Sequence, residues 1–130
     1  MAEQPSAPAR LLVVDDEVGV RRLIETVLGR AGFVVEPAVT GPQALEKLRS
    51  EQYDLVILDL GLPWLHGVEV LATMREDPRT ARLPVIVITG SHVADTQFDR
   101  YEPVALIRKP FEPDTLIAAV TALLQSNRGA

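Results

Sequence analysis

The stretch Leu55-Val56-Ile57-Leu58-Asp59 decides the fold, because four consecutive apolar residues run directly into a single carboxylate. A strand that is apolar at successive positions, without polar alternation, is buried on both of its faces. Such strands occur in parallel sheets that carry helices on each side. The stretch therefore predicts a central strand of an α/β domain, with Asp59 at its carboxyl end.

Four further apolar runs have the same character, at residues 11–14, 33–35, 85–88 and 104–107. Between the runs, apolar residues recur at helical spacing. One predicted helix face carries Leu23, Ile24, Val27 and Leu28. Five strands that alternate with helices predict a doubly wound, flavodoxin-like α/β domain. Its five-stranded parallel sheet has the order 2-1-3-4-5, with helices on both faces.

Local signals place the helix ends. Gly32 is a predicted C-terminal stop, and Thr40 is a predicted N-cap for the next helix. A third helix is predicted over residues 67–76, with Val68 on its apolar face. The polar segment 91–100 is predicted to form a short helix.

Composition narrows the function classes. The chain has 130 residues, a length typical of one domain, and it contains no cysteine, which excludes disulfides and thiolate metal sites. The formal net charge is -5 and the basic residues are scattered, so direct nucleic-acid binding is not expected. No apolar run approaches the roughly 20 residues that span a bilayer, so no membrane partner is expected.

The chain ends are expected to lie outside the folded domain. Residues 1–9 are polar and rich in Pro and Ala, without the features of a secretory signal, and are expected to form a disordered tail. The domain is predicted over residues 10–126, followed by a flexible tail at residues 127–130. Without a signal or a membrane span, the expected location is the cytoplasm.

Polar side chains follow four of the five predicted strands. Asp15 and Asp16 come after the first strand, Asp59 after the third, Thr89 after the fourth and Lys109 after the fifth. Sites in open parallel sheets form beyond the carboxyl ends of the strands. We therefore expect three carboxylates, one hydroxyl and one ammonium to converge at this edge.

Such a cluster of acids requires a cation. Two carboxylates about 4 Å apart repel by roughly 4 kcal/mol at an effective dielectric constant near 20. Oxygen ligands without His or Cys favour a hard ion, and a partly open coordination shell favours Mg2+. A carboxylate beside Mg2+ and an ammonium group can act as a nucleophile toward a phosphoryl group.

These features together resemble the receiver domain of bacterial response regulators, the CheY-like family of two-component signalling. The matching residues are Asp15-Asp16, Asp59, Thr89-Gly90 and Lys109-Pro110-Phe111. The loop after Asp59 also fits, with Pro63 four positions and Gly67 eight positions later. The resemblance extends from about Arg10 to Leu124.

The resemblance implies a role for each site residue. Asp59 is the expected phosphoacceptor, and Asp16, Asp59 and the backbone carbonyl of Gly61 are expected to bind Mg2+ directly. Asp15 is expected to bind the ion largely through water. Lys109 is expected to contact the phosphoryl oxygens and Thr89 to report the phosphate to the neighbouring surface. The resemblance also implies a cis Lys109-Pro110 peptide bond.

The resemblance also implies partners. The phosphoryl donor is expected to be a histidine kinase or a histidine phosphotransfer protein, and the signal passes to a downstream protein or output domain that the sequence does not specify. The chain is expected to be a signalling switch and not an enzyme, apart from its own phosphorylation and dephosphorylation.

Two positions depart from the family pattern. Receivers usually carry an aromatic residue three positions before the Lys, where this chain has Leu106. Glu102-Pro103 stands where receivers commonly have a Gly-Ala pair. Both lie on the surface through which receivers usually signal, so atypical output coupling is expected.

Other interpretations remain open at this point. Asp15 or Asp16 alone fits the N-cap of the first helix, and Asp59 alone fits a turn residue. A phosphorylation-independent interaction module, with the pocket as a relic, is the main alternative function. A haloacid-dehalogenase-type phosphatase is disfavoured, because it requires an Asp-x-Asp motif after the first strand, where this chain has Asp15-Asp16-Glu17.

Overall fold

The computed structural model describes residues 8–59, 67–90 and 101–128, with side chains up to residue 126. The elements follow in the order β1 (Arg10–Val14), α1 (Val18–Arg30), β2 (Val34–Ala38), α2 (Gly41–Ser50), β3 (Leu55–Asp59), α3 (Gly67–Glu76), β4 (Val85–Thr89), β5 (Val104–Arg108) and α4 (Pro113–Arg128). The predicted short helix at 91–100 and the loop at 60–66 lie outside the described residues.

The five strands form one parallel sheet in the order β2-β1-β3-β4-β5. The predicted doubly wound fold is therefore confirmed. In the register between β3 and β4, Asp59 lies opposite Ile88, so Thr89 is one residue beyond Asp59 at the same edge. In the next pair, Thr89 lies opposite Arg108, and Lys109 follows directly.

The central strands are buried on both faces, as continuous apolar runs require. Leu11 to Val14 and Val85 to Ile88 are at most 1% exposed. The second strand was predicted at residues 33–35, but β2 runs from Val34 to Ala38 and includes Glu36 and Pro37. It is an edge strand, where half-exposed polar side chains and a proline are tolerated, so its apolar run is shorter than the strand.

Two hydrophobic clusters lie on opposite faces of the sheet. Helices α2 and α3 cover one face through residues that include Ala44, Leu48, Val70, Leu71 and Met74. Helices α1 and α4 cover the other through residues that include Ile24, Leu28, Leu116 and Val120. This three-layer packing leaves the carboxyl ends of the strands open between the helix termini.

Two residues expected on buried helix faces are exposed instead. Leu23 is 49% exposed, whereas its neighbours in the pattern, Ile24 and Leu28, are fully buried. Val68 is 40% exposed in the first turn of α3. Successive residues differ by about 100° around a helix, so a residue next to the central buried position can face solvent.

The predicted helix signals are confirmed. Gly32 follows α1 with a φ of 101°, a conformation that glycine adopts without steric cost. Thr40 is the N-cap of α2, where its Oγ1 accepts a hydrogen bond from the Gln43 N–H at 3.2 Å. Among the described residues, no helix combines the length and apolar character needed to cross a bilayer.

Candidate functional site

The structure brings the predicted site residues within the described ranges together. Asp15 and Asp16 follow β1, Asp59 ends β3, Thr89 ends β4, and Lys109 follows β5. All five lie at the carboxyl edge of the sheet. Gly61, the remaining predicted ligand, lies outside the described residues.

The three carboxylates form a cluster. Asp15, Asp16 and Asp59 each offer an oxygen, and these oxygens lie within 4.8 Å of one another. Asp15 is 1% exposed and the Asp59 side chain 12% exposed, whereas Asp16 is exposed. A set of oxygen donors at this spacing, open on one side, fits a hard cation that keeps some of its water. The donor set therefore fits Mg2+.

Asp15 is held at its backbone N–H and at its carboxylate. Its N–H donates to the Ala38 carbonyl at 3.1 Å, and its Oδ1 accepts from the Glu17 N–H at 2.9 Å. The pKa of Asp15 is raised from 3.8 to about 6, chiefly by burial and in part by the negative charge of Asp59. The Glu17 N–H and Lys109 act in the opposite direction. The acids therefore repel one another, as expected for a cluster that binds a cation.

Lys109 provides the ammonium group of the site. Its Nζ lies 4.0 Å from Asp59 Oδ1 and 4.0 Å from Glu17 Oε1, with the side chain 24% exposed. Its backbone N–H donates to the Thr89 carbonyl at 2.9 Å, which joins the ends of β4 and β5. The Lys109-Pro110 bond is cis, as the family resemblance implied. Lys109 is thus partly buried beside the acids and is not a solvated surface charge.

Thr89 is 3% exposed, so its hydroxyl is held inside this edge of the sheet. Neither Asp15 nor Asp16 is the N-cap of α1, because Glu17 occupies that position, without a side-chain hydrogen bond to the helix. The interpretation of these acids as simple caps is therefore wrong. Sequence reasoning did not identify the contact between Glu17 and Lys109, since Glu17 was only a neighbour of the Asp pair.

The structure shows the contacts of Leu106 and Pro103, two residues at positions that depart from the family pattern. Leu106 is half-buried and packs against the cluster on the α2–α3 face, together with Tyr101. The Arg75 guanidinium donates to the carbonyls of Tyr101 at 2.7 Å and of Pro103 at 3.1 Å. The connection into β5 is therefore attached to the C-terminal end of α3.

A cavity of about 710 Å³ lies at the opposite edge of the sheet and is not part of this site. Arg10 and Tyr53 border it. Arg10 already pairs with Glu36 and Glu51 and lies 4.9 Å from the centre of the Tyr53 ring. Tyr53 donates to Glu36 at 2.9 Å. These partners satisfy one another, so the group is best explained as a structural link between β1, β2, β3 and α2.

Comparison with known proteins identifies the family. The family model described as "Response regulator receiver domain" matches residues 11–121. The chain therefore belongs to the response regulator receiver domain family, a family of two-component signalling switches and not of conventional enzymes. Receivers of this family interact with histidine kinases and output domains and generally bind Mg2+ at an acidic cluster.

Several relatives support this assignment. The chain is 35% identical over 118 residues to the transcriptional regulatory protein ResD of Bacillus subtilis, covering 89% of this chain and 48% of ResD. It is 37% identical over 120 residues to the response regulator Rre1 of Synechocystis, covering 90% of this chain and 52% of Rre1. The chain thus spans about half the length of these curated relatives.

A solved structure shows the same architecture. The chemotaxis protein CheY4 of Vibrio cholerae superimposes with a TM-score of 0.84 at 27% identity, over 90% of this chain and 99% of that chain. The similarity therefore covers the sheet and helices that position the acidic cluster.

Proposed function

We propose that this receiver is a phosphorylation-controlled switch in which Asp59 accepts a phosphoryl group in a Mg2+-dependent reaction. The observation that carries the proposal is the convergence of Asp15, Asp16 and Asp59 within 4.8 Å, with the Lys109 ammonium 4.0 Å from Asp59. No other arrangement of side chains in the described residues brings a nucleophilic carboxylate, a cation-binding acid pair and an ammonium group together.

Each residue has a distinct part. Asp16 and Asp59, with the Gly61 carbonyl, would hold Mg2+, and Asp15 would hold it through water. When bound, Mg2+ supplies positive charge that offsets the charge on the phosphoryl oxygens. Lys109 supplies the second positive charge, and the Thr89 hydroxyl donates a hydrogen bond to a phosphoryl oxygen.

The donor is a phosphohistidine of a histidine kinase or phosphotransfer protein. A carboxylate oxygen of Asp59 attacks phosphorus, a P–O bond forms, and the P–N bond breaks with its electron pair leaving on the imidazole. Water then attacks phosphorus and the P–O bond to Asp59 breaks, which releases phosphate and restores the carboxylate. Gly90 is exposed and adds no side chain, which favours entry of that water and self-dephosphorylation.

The output follows from Thr89 and the adjacent surface. Movement of Thr89 toward the phosphate would shift the populations of two states of the surface that includes β5 and α4. Leu106 cannot provide the hydrogen bond of an aromatic residue with a polar tip, so coupling is atypical. A downstream protein or an output domain reads this surface, and the cytoplasm is the proposed location.

The test is intact-mass spectrometry after incubation with acetyl phosphate, with and without Mg2+. The wild type should gain one phosphoryl group only with Mg2+, and Asp59→Asn should gain none. Asp54→Asn is the matched control, because Asp54 is an exposed acid that precedes the other end of β3; it should be phosphorylated like the wild type. A folded wild type that gains no mass would refute the proposal and favour the phosphorylation-independent interaction module.

A further inference from the structure

Arg21 lies beside the acidic cluster, and the proposed function assigns it no role. It is the fourth residue of α1, at the end of the first turn, and its side chain is 15% exposed. Its Nη1 donates to the backbone carbonyl of Asp15 at 3.2 Å. Side chains of a helix lean toward its N-terminus, which lets Arg21 reach back to the turn that carries Asp15 and Asp16.

The geometry of Arg21 is not that of a simple surface ion pair. Its Nε is buried and has no hydrogen-bond partner among the residues that the structure describes, and the nearest Glu25 oxygen is 3.7 Å away. A buried donor without a partner costs free energy. The contact with Glu25 is too long for a hydrogen bond, so within the described part of the chain the bond to the Asp15 carbonyl is the contact that fixes the guanidinium.

The hydrogen bond from Arg21 completes the support of Asp15. The Asp15 N–H is held by Ala38 in β2, and its carboxylate is held by the Glu17 N–H. The carbonyl is the remaining polar group of the residue, and Arg21 binds it. Asp15 is thereby attached to β2 and α1, and Asp16 follows from this fixed point.

We propose that Arg21 is a positioning residue that holds the Asp15-Asp16 turn in the geometry required for Mg2+ binding. This inference rests on the proposed function, because it assigns Arg21 to the same metal site. Residues outside the ligand shell that orient metal ligands contribute to metal affinity, and their loss commonly weakens metal binding by about 10–100-fold.

The experiment compares Arg21→Gln and Arg21→Lys with the control Arg22→Gln, which alters the adjacent, exposed arginine of the same helix. Two quantities are measured for each folded variant: Mg2+ affinity by calorimetric titration, and hydrogen exchange of the Asp15 and Glu17 amides without metal. Core amides of β3 report global stability, so local and global effects are separated.

Arg21→Gln should weaken Mg2+ binding about tenfold and accelerate exchange at Asp15 and Glu17 about fivefold, the effect of one lost hydrogen bond. Arg21→Lys should show smaller effects in both assays, and Arg22→Gln should match the wild type. Wild-type affinity and exchange in Arg21→Gln would overturn the inference, as would a loss of affinity in which all core amides exchange faster.

The two proposals fail in different ways. If the wild type does not bind Mg2+, the proposed metal site is wrong, and the amide exchange of metal-free Arg21→Gln still decides whether Arg21 holds the turn. If the wild type binds Mg2+ and Arg21→Gln binds it equally well, the proposed function stands and the role of Arg21 is refuted. Should Arg21→Gln not fold, Arg21→Lys provides the same comparison.

Discussion

Replacement of Asp15 by Asn should stabilise the metal-free protein at neutral pH. Asp15 is 1% exposed, and its pKa is raised to about 6, chiefly by burial. A carboxyl group with a higher pKa in the folded state favours folding while protonated, and this contribution is lost as the pH rises through the folded pKa. At pH 7 the ionised Asp15 therefore opposes folding.

The magnitude follows from the shift. A rise from 3.8 to about 6 is roughly two pH units, equivalent to about 3 kcal/mol at pH 7. This shift already includes the hydrogen bond from the Glu17 N–H to the charged carboxylate. Asn keeps an oxygen that can accept that bond, but its NH2 group brings a second donor N–H into a buried site, which offsets about 1–2 kcal/mol of the gain. We expect the free energy of unfolding of Asp15→Asn to exceed that of the wild type by about 1–2 kcal/mol at pH 7.

The assay is urea denaturation followed by circular dichroism in EDTA, at pH 7 and pH 5. The gain should shrink at pH 5, where folded wild-type Asp15 is largely protonated, and Asp54→Asn should show no comparable gain. Mg2+ should stabilise the wild type more than Asp15→Asn. Equal or lower stability of Asp15→Asn at pH 7, or a gain that is the same at both pH values, would refute the electrostatic reasoning.

Three further changes test other parts of the molecule. Lys109→Gln removes the ammonium group beside Asp59 and should slow phosphorylation by acetyl phosphate about 100-fold, measured by mass spectrometry over time; an unchanged rate would exclude Lys109 from the reaction. Tyr53→Phe removes the hydrogen bond to Glu36 and should lower the free energy of unfolding by about 1 kcal/mol in urea; a gain in stability would contradict that. Arg75→Met removes the donor that binds the carbonyls of Tyr101 and Pro103 before β5, and it should lower the free energy of unfolding by about 2–3 kcal/mol in the same assay. Arg75→Lys should have an intermediate effect. An unchanged free energy of unfolding would show that these bonds do not contribute to stability.

Much of the fold could be predicted because a strand that is buried on both faces appears in the sequence as an uninterrupted apolar run. Residues 55–58 and 85–88 are apolar throughout and form two of the three central strands. The edge strand β2 was harder, since Glu36 and Pro37 break its apolar run while its backbone still pairs with β1. The exposure of Leu23 was not predicted for a different reason. Periodicity identifies the apolar face of a helix, but it does not say how wide a part of that face is buried against the sheet.

The candidate site could be predicted for a related reason. Parallel strands end at the same edge, so residues far apart in sequence, such as Asp15, Asp59 and Lys109, were expected to meet there. The contacts of Glu17 and Arg21 were missed, because both depend on how side chains are directed at the start of α1. Arg21 did carry a signal: an arginine at the end of the first turn of a helix can reach back to the preceding loop.

The most direct test of the account is chemical mapping of the phosphorylated residue. Protein treated with acetyl phosphate and Mg2+ is reduced with borohydride, which converts an aspartyl phosphate into homoserine, and is then digested and sequenced by mass spectrometry. Homoserine is expected at position 59 and at no other aspartate. Modification of Asp15 or Asp16 instead, or no modification of folded protein, would contradict it.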